Sequence, residues 1–518
     1  MPAPYALDTA SQLNADLIRR ISMGQNITIG AGLAGEVSVS CAAARQVLAR
    51  GGPVYGVSTG MGALSGVALT ADEQRAHQRH LLLGRAAGGP PWLGRAQVRA
   101  LFAVRLRTFL SGDAGVSAEL CQRLADFLAA GIVPAVPADA AGTAGEIVPL
   151  SPAFGPLAGI GSVLAAEGPG GGETVPAAAA LAEHGLAAFE LGPKEGIALL
   201  EGVPGATALS LLAAGEAETV TAMMEAAAGL SIAVIGAARD PYEAACARAD
   251  DVLGEVFGRL RAWLPEPGPG QAPRMLQAPV SFRVAGHALA ALIRATRALA
   301  AAADRALDGV TDSPAFLDGR FVGTGGFDGI DLAAACDHVT AVLAHAAEVS
   351  AARTHRLLDP RVTGLAAQLA PRPGPDAGLV TVHKRAAGEV HALRRLAVPS
   401  AVGAIETSNG QEDVQSFAWA AAQALRAGLR HARVVAACEL LTAWQATRLA
   451  GWGEAGPGAG AGADGARPDG VGAGAGRPGE GRARELAARL GGLIAPIDTD
   501  RPLGPDLERL ADGAWARP

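Results

Sequence analysis

The chain has 518 residues, 50% hydrophobic but only 4% aromatic, so its core must be built from Ala, Leu and Val, a composition that favours helices. A formal charge of -7 leaves no basic footprint for nucleic acid and serves solubility. Cys41, Cys121, Cys246, Cys336 and Cys438 are far apart with no CxxC pair, which speaks against a metal or disulfide framework and fits small buried thiols in a reducing compartment.

The N-terminus, MPAPYALDTA, has no basic region followed by an apolar one, so no signal peptide is expected and the protein reads as cytoplasmic. Gly51 to Ala71 and Ile147 to Ala166 are uncharged and about as long as a membrane span. Their Gly, Ser, Thr and Pro content predicts buried loops and helix starts, with no membrane.

The first chemically suggestive segment is Val54-Tyr55-Gly56-Val57-Ser58-Thr59-Gly60-Met61-Gly62. It places a single tyrosine on glycine-permitted turns, either as a buried residue with a satisfied hydroxyl or as a site group. A helix is expected over Ala96 to Leu110. Gly142 to Leu150 packs small residues closely, giving either backbone self-contact or a tight helix entry. EGPGGGETVP around Gly170 predicts a surface loop.

Helices are next expected over Ala206 to Ile235, Ala285 to Leu307 and Leu332 to Arg356, Ala-rich over much of their circumference. Leu276 to Arg283 precedes the second of these; its Arg283 suits a carboxylate through two parallel hydrogen bonds, or a surface ion pair. In Thr407 to Asp413, Ser408 or Asp413 would cap a helix over Val414 to Ala450, leaving Gln411 and Glu412 to a site. In that helix Leu425, Leu429, Ala432, Ala436 and Leu440 recur at spacings of three and four, the mark of one buried face. Gly453 to Gly481 is mostly Gly, Ala and Pro and predicts a flexible insert. The division expected is 1–205 as a loop-rich cap, 206–450 as a bundle of long helices, 451–482 as the insert and 483–518 as a C-terminal helical cap. His80, His287 and His383 lack HxxxH or HExxH spacing, so no metal is expected. No phosphate loop or dinucleotide fingerprint is found.

Taken in order, these segments resemble the histidine and phenylalanine ammonia-lyase superfamily. Tyr55 to Gly62 is similar to the family's Tyr-Gly-Val-Asn-Thr-Gly-Phe-Gly. Gln78-Arg79, Gly84 to Gly88, Lys194 to Leu199, Val310 to Pro314, Gly410 to Val414 and Asp500 to Leu503 look like further family motifs. The resemblance implies an all-α subunit whose long central helical bundle is of the ammonia-lyase/fumarase-like type, with an N-terminal loop-rich cap. It also implies a homotetramer with sites shared among three subunits. Family chemistry depends on methylidene-imidazolone, made from Ala-Ser-Gly by cyclisation and loss of water. Here the triplet is Thr143-Ala144-Gly145. Ala144 has no hydroxyl to eliminate, so the cofactor is expected to be absent.

Other departures are Arg85 for a histidine, Glu201 for a cofactor-contacting asparagine, Val280 for a tyrosine and Gly326-Phe327-Asp328 for Asn-Phe-His. Tyr55, Gln277, Arg283, Phe327, Gln411 and Glu412 are retained. By resemblance Tyr55 is the base, Arg283 the carboxylate clamp and Glu412 a substrate-side acid or orienter. Arg85 or Arg283 is expected to lower the Tyr55 pKa. Glu201 or Glu412 would return a proton. The expected activity is a cofactor-free elimination, conjugate addition or cyclisation on a carboxylate-bearing, anionic substrate, in specialised metabolism by family analogy. Two other readings are a non-catalytic partner in a hetero-oligomer with a cofactor-bearing paralogue, and an ordinary ammonia-lyase.

Overall fold

A computed structural model describes residues 3–139, 142, 144–165, 172–264, 273–403, 405–452, 480–513 and 515. Thr143 and most of the Gly-rich insert lie outside these residues, as does part of the expected loop around Gly170. The structure is 61% helical and 6% strand, a mostly helical bundle as the composition suggests. The strands are short two-stranded pairs, such as Ser162–Leu164 antiparallel to Thr174–Pro176, so the far end of the loop expected near Gly170 is extended backbone.

The longest helices are Pro204–Val234, Ala285–Asp308, Ile330–Leu357 and Ala418–Leu449. Pro204 opens its helix where the missing N–H is not needed. The buried Glu146 carboxyl accepts from Gly205 N and Ala206 N, both at 2.6 Å, meeting two of the helix's free N–H groups. The helix expected from Val414 begins at Ala418 instead. Neither Ser408 nor Asp413 caps it; Ser408 and Asn409 have positive φ, and the Ser408 hydroxyl goes to Glu412. The stretch 195–234 is long and apolar enough to cross a membrane, but 94% of its most apolar window is buried in the fold.

The described chain forms two compact units, 1–215 with 297–338 and 398–426, and 216–296 with 339–397 and 427–518. They do not follow the sequential division because each long helix contributes residues to both. In the first unit Phe102 stacks on Phe127 at 5.9 Å and tilts against Phe154 at 5.1 Å. In the second, Asp500 accepts from Ala377 N at 2.7 Å and Gly378 N at 3.0 Å, which ties the C-terminal segment down. Four cysteines are buried; Cys246 is exposed, against the expectation for it, and all five are free thiols.

Candidate functional site

The Tyr55 loop is held from behind. Gly56 has φ +67°, and a Cβ there would meet the Ile197 side chain at 2.1 Å, so the turn needs glycine twice over. The buried Gln78 amide donates to Gly56 O at 3.1 Å and accepts from Gly196 N at 3.0 Å and Ile197 N at 3.2 Å. It thereby joins the loop to the helix Glu195–Leu200, which Glu201 follows as the C-cap. Tyr55 is half-buried, and its hydroxyl oxygen accepts from Gly62 N at 2.8 Å. That leaves the hydroxyl proton free for a ligand.

Ala144 and Gly145 precede the helix Ile147–Phe154. Gly145 has φ +81°, with its Cβ position 3.4 Å from Gly202 O and 3.8 Å from the Phe327 Cβ. Ala144 N donates to Glu412 Oε2 at 3.3 Å. The same carboxyl accepts from Thr407 Oγ1 at 2.7 Å and Ser408 Oγ at 3.0 Å, so its place is set by three donors.

Tyr55, Ala144, Glu201, Phe327, Gln411 and Glu412 share the wall of one cavity of about 670 Å³. Asp328 and Asp413 also line it, as does an apolar surface that includes Met61, Ile147, Phe321 and Val414. Arg85 is half-buried and near enough to Tyr55, Glu201 and Glu412 for its charge to act on them.

Beneath Glu201 lies a buried charge cluster. Lys194 Nζ and Asp312 Oδ2 form an ion pair at 2.5 Å, and Arg105, fully buried, donates to the Glu201 carbonyl. Asp312 Oδ1 and two Arg105 nitrogens, Nε and Nη1, have no hydrogen-bond partner among the described residues. Burial, reinforced by Asp312 and Glu412 against Lys194 and Arg105, pushes the Glu201 carboxyl up to about 8. Glu146, also buried, is pushed up to about 7 despite its two backbone donors.

Tyr55 moves opposite to expectation. Burial first, then Glu201 and Glu412, raise its pKa, while Gly62 N–H and Arg85 only oppose the rise. A lone arginine is outweighed by desolvation and two acidic neighbours. Tyr55 is therefore a neutral phenol near neutrality.

Gln277, Val280 and Arg283 are not among the cavity-lining residues. They belong to the second unit, where Tyr242 Oη donates to Phe282 O at 2.6 Å and Arg353 Nη1 to Ser281 O at 3.1 Å. Arg283 Nε donates to Ala278 O at 2.9 Å, a backbone carbonyl rather than either partner expected for it, and Val280 is 59% exposed. The role of Arg105 was not visible in sequence. Lys194 and Asp312 stand inside motifs already noted, and two opposite charges in otherwise apolar segments were the available signal.

A model described as aromatic amino acid lyase matches residues 13–464. The chain is 35% identical over 446 residues to histidine ammonia-lyase of Streptomyces avermitilis, covering 80% of this chain and 83% of that protein. It is 30% identical over 475 residues to histidine ammonia-lyase of Symbiobacterium thermophilum, covering 89% and 86%. Two solved structures bear on the fold alone. Ergothionase from Treponema denticola superposes with a TM-score of 0.85 at 22% identity, covering 99% of this chain and 98% of that one. Tyrosine aminomutase from Streptomyces globisporus gives 0.86 at 24% identity, covering 99% and 97%. With a family match across most of its length and relatives at this level of identity, the chain belongs to the aromatic amino acid lyase family.

Proposed function

We propose that this chain is a lyase that works without methylidene-imidazolone on a carboxylate-bearing, amino-acid-like substrate, by elimination or by conjugate addition or cyclisation. The observation behind this reading is the meeting in one cavity of Ala144 with a buried acid, Glu201. Ala144 ends in a methyl group and has no hydroxyl to lose, so the residues present do not fit that cofactor.

In the elimination direction Glu412 takes the proton from carbon. The bond to the leaving group breaks, and that group departs with the Glu201 proton. With its carboxyl pushed up to about 8, Glu201 holds this proton at neutral pH. Tyr55 donates its hydroxyl proton in a hydrogen bond to the substrate. Addition runs the same transfers in reverse.

The chain is further proposed to assemble, as a homotetramer or with a cofactor-bearing paralogue, so that Gln277, Val280 and Arg283 complete a neighbouring copy's cavity. In support, Leu276 is 90% exposed beside them, an apolar loop without cover in the single chain.

The test combines mass spectrometry with kinetics. The tryptic peptide containing Thr143 is expected to show no loss of water. Turnover on a panel of amino acids that includes histidine and tyrosine is expected to fall about 100-fold or more in Glu201→Gln. A dehydrated peptide, or a variant as active as the parent, would sink the reading. Light scattering of the purified chain tests the assembly, and a monomer would remove it.

A further inference from the structure

We propose that the Glu201 side of the cavity is a cation site, taking a protonated amine or guanidinium from a ligand whose apolar body lies on Met61, Ile147, Phe321 and Phe327. The proposal rests on this cavity being the working site, but not on the reaction assigned to it. Four carboxyl side chains line the cavity, those of Glu201, Glu412, Asp328 and Asp413, and among the described residues no lysine or arginine does. Glu412 is committed to Thr407, Ser408 and Ala144, and Asp328 Oδ2 accepts from Ile330 N at 3.1 Å. Glu201 differs from both. It is 5% exposed and lines the cavity, and its carboxyl has no hydrogen-bond partner among the described residues. A buried polar group without a partner is costly, so a ligand that supplies one gains the corresponding affinity.

The sign of that ligand follows from the cavity lining, which holds carboxyl side chains and, among the described residues, no lysine or arginine. Asp312 and Glu412 act on the Glu201 carboxyl from one sign, Lys194, Arg105 and Arg85 from the other, and Tyr55 stands opposite as a neutral phenol. Lys194 is paired with Asp312, and Arg105 donates to the Glu201 carbonyl rather than to its carboxyl. Burial first, with Asp312 and Glu412 set against Lys194 and Arg105, favours retention of a proton on Glu201. Burial penalises an unpaired carboxylate there, and an ammonium group beside it neutralises that charge as the proton does. An anion at this wall would meet two neighbouring carboxylates. Binding of the cation therefore displaces the proton, so an amine seated here is held by Glu201 and is not the group that Glu201 protonates.

The experiment uses the full-length protein as it assembles and two probes of like size, 2-phenylethylammonium and 3-phenylpropionate. Calorimetry at neutral pH in two buffers of unlike ionisation enthalpy reads affinity and proton release together. The amine is expected to bind about tenfold or more tightly than the acid and to release close to one proton. The release should vanish above about pH 9, where Glu201 is already ionised. Glu201→Gln is expected to weaken the amine about tenfold or more and leave the acid unchanged. If that variant does not fold, proton release by the parent protein decides the matter. Tighter binding of the acid, amine binding without proton release, an unaffected folded variant, or binding of neither probe overturns the proposal. Amine binding as described in a protein without lyase turnover leaves the cation site standing and removes only the reaction.

Discussion

Two buried charge clusters in this molecule are built to different standards. In the second unit, Arg353 meets Glu439 through Nε to Oε1 at 2.6 Å and Nη2 to Oε2 at 2.8 Å. The same carboxylate accepts from Ser231 at 2.8 Å and Ser350 at 2.6 Å, and the remaining Arg353 nitrogen goes to Ser281 O. Every polar atom of the pair has a partner. In the first unit, the cluster of Lys194, Asp312, Arg105 and Glu201 leaves Asp312 Oδ1 and Arg105 Nε and Nη1 without one among the described residues. No residue of the satisfied cluster is among those lining the cavity; Glu201 of the unsatisfied one is. Buried polar groups are ordinarily paired, so groups left unpaired beside a cavity point to work done on a ligand or through water.

The largest effect comes from breaking the satisfied cluster. Glu439→Ala strands the Arg353 guanidinium in the core and is expected to cost about 3–5 kcal/mol, read as a lower urea midpoint with an unchanged slope. It should also loosen the 278–283 segment, since Arg353 anchors Ser281. A cost below about 1 kcal/mol would mean that the pair is not the closed structural unit its geometry describes.

The next effect is a pH dependence located in the unsatisfied cluster. The Glu201 carboxyl is raised from 4.5 to about 8 in the folded chain. Its contribution to stability is fully present below about pH 4.5 and lost as pH rises through about 8, because the folded state binds the proton more tightly. The loss is on the order of a few kcal/mol. Glu146, raised to about 7, acts with the same sign. Urea midpoints measured from pH 5 to 9 should therefore fall, and Glu201→Gln should flatten the curve to the part due to other raised carboxyls such as Glu146 and Asp312. An identical slope in the variant would place the titration elsewhere. Smaller again is Tyr55→Phe, which removes the acceptor for Gly62 N and is expected to cost about 1 kcal/mol of stability.

The long helices were legible from periodicity and Ala content, and the ends of Arg95–Leu110, Pro204–Val234 and Ala285–Asp308 fall within two residues of those expected. The start of Ala418–Leu449 was not, because the cap chemistry of Ser408 is spent on Glu412. The cavity residues Tyr55, Glu201, Phe327, Gln411 and Glu412 were legible as motif positions. Their electrostatics were not: the Tyr55 shift depends on burial and on which carboxyls face it. Arg105 sits in a regular helix with no motif, and only the fold shows its side chain fully buried.

Arg105→Met is the smallest effect and the sharpest probe of the contrast. Arg105 lies 5.4 Å from the Phe109 ring centre and 5.7 Å from that of Phe154, so an unbranched apolar side chain suits its surroundings. The substitution loses one hydrogen bond to the Glu201 carbonyl and two ring contacts, but removes a buried cation with two unpartnered nitrogens. These terms are opposed and of similar size, so the net change is expected to stay within about 1 kcal/mol in either direction. Arg353→Met, the same chemical change in the satisfied cluster, is expected to cost about 3–5 kcal/mol because it abandons Glu439. Equal losses in the two urea titrations would show that ordered water completes the Arg105 cluster, and the distinction between a structural and a working charge cluster would fall. Unequal losses, with the Glu201 titration moved upward in Arg105→Met by removal of a nearby positive charge, would fix Arg105 as a tuning group for the acid rather than a support of the fold.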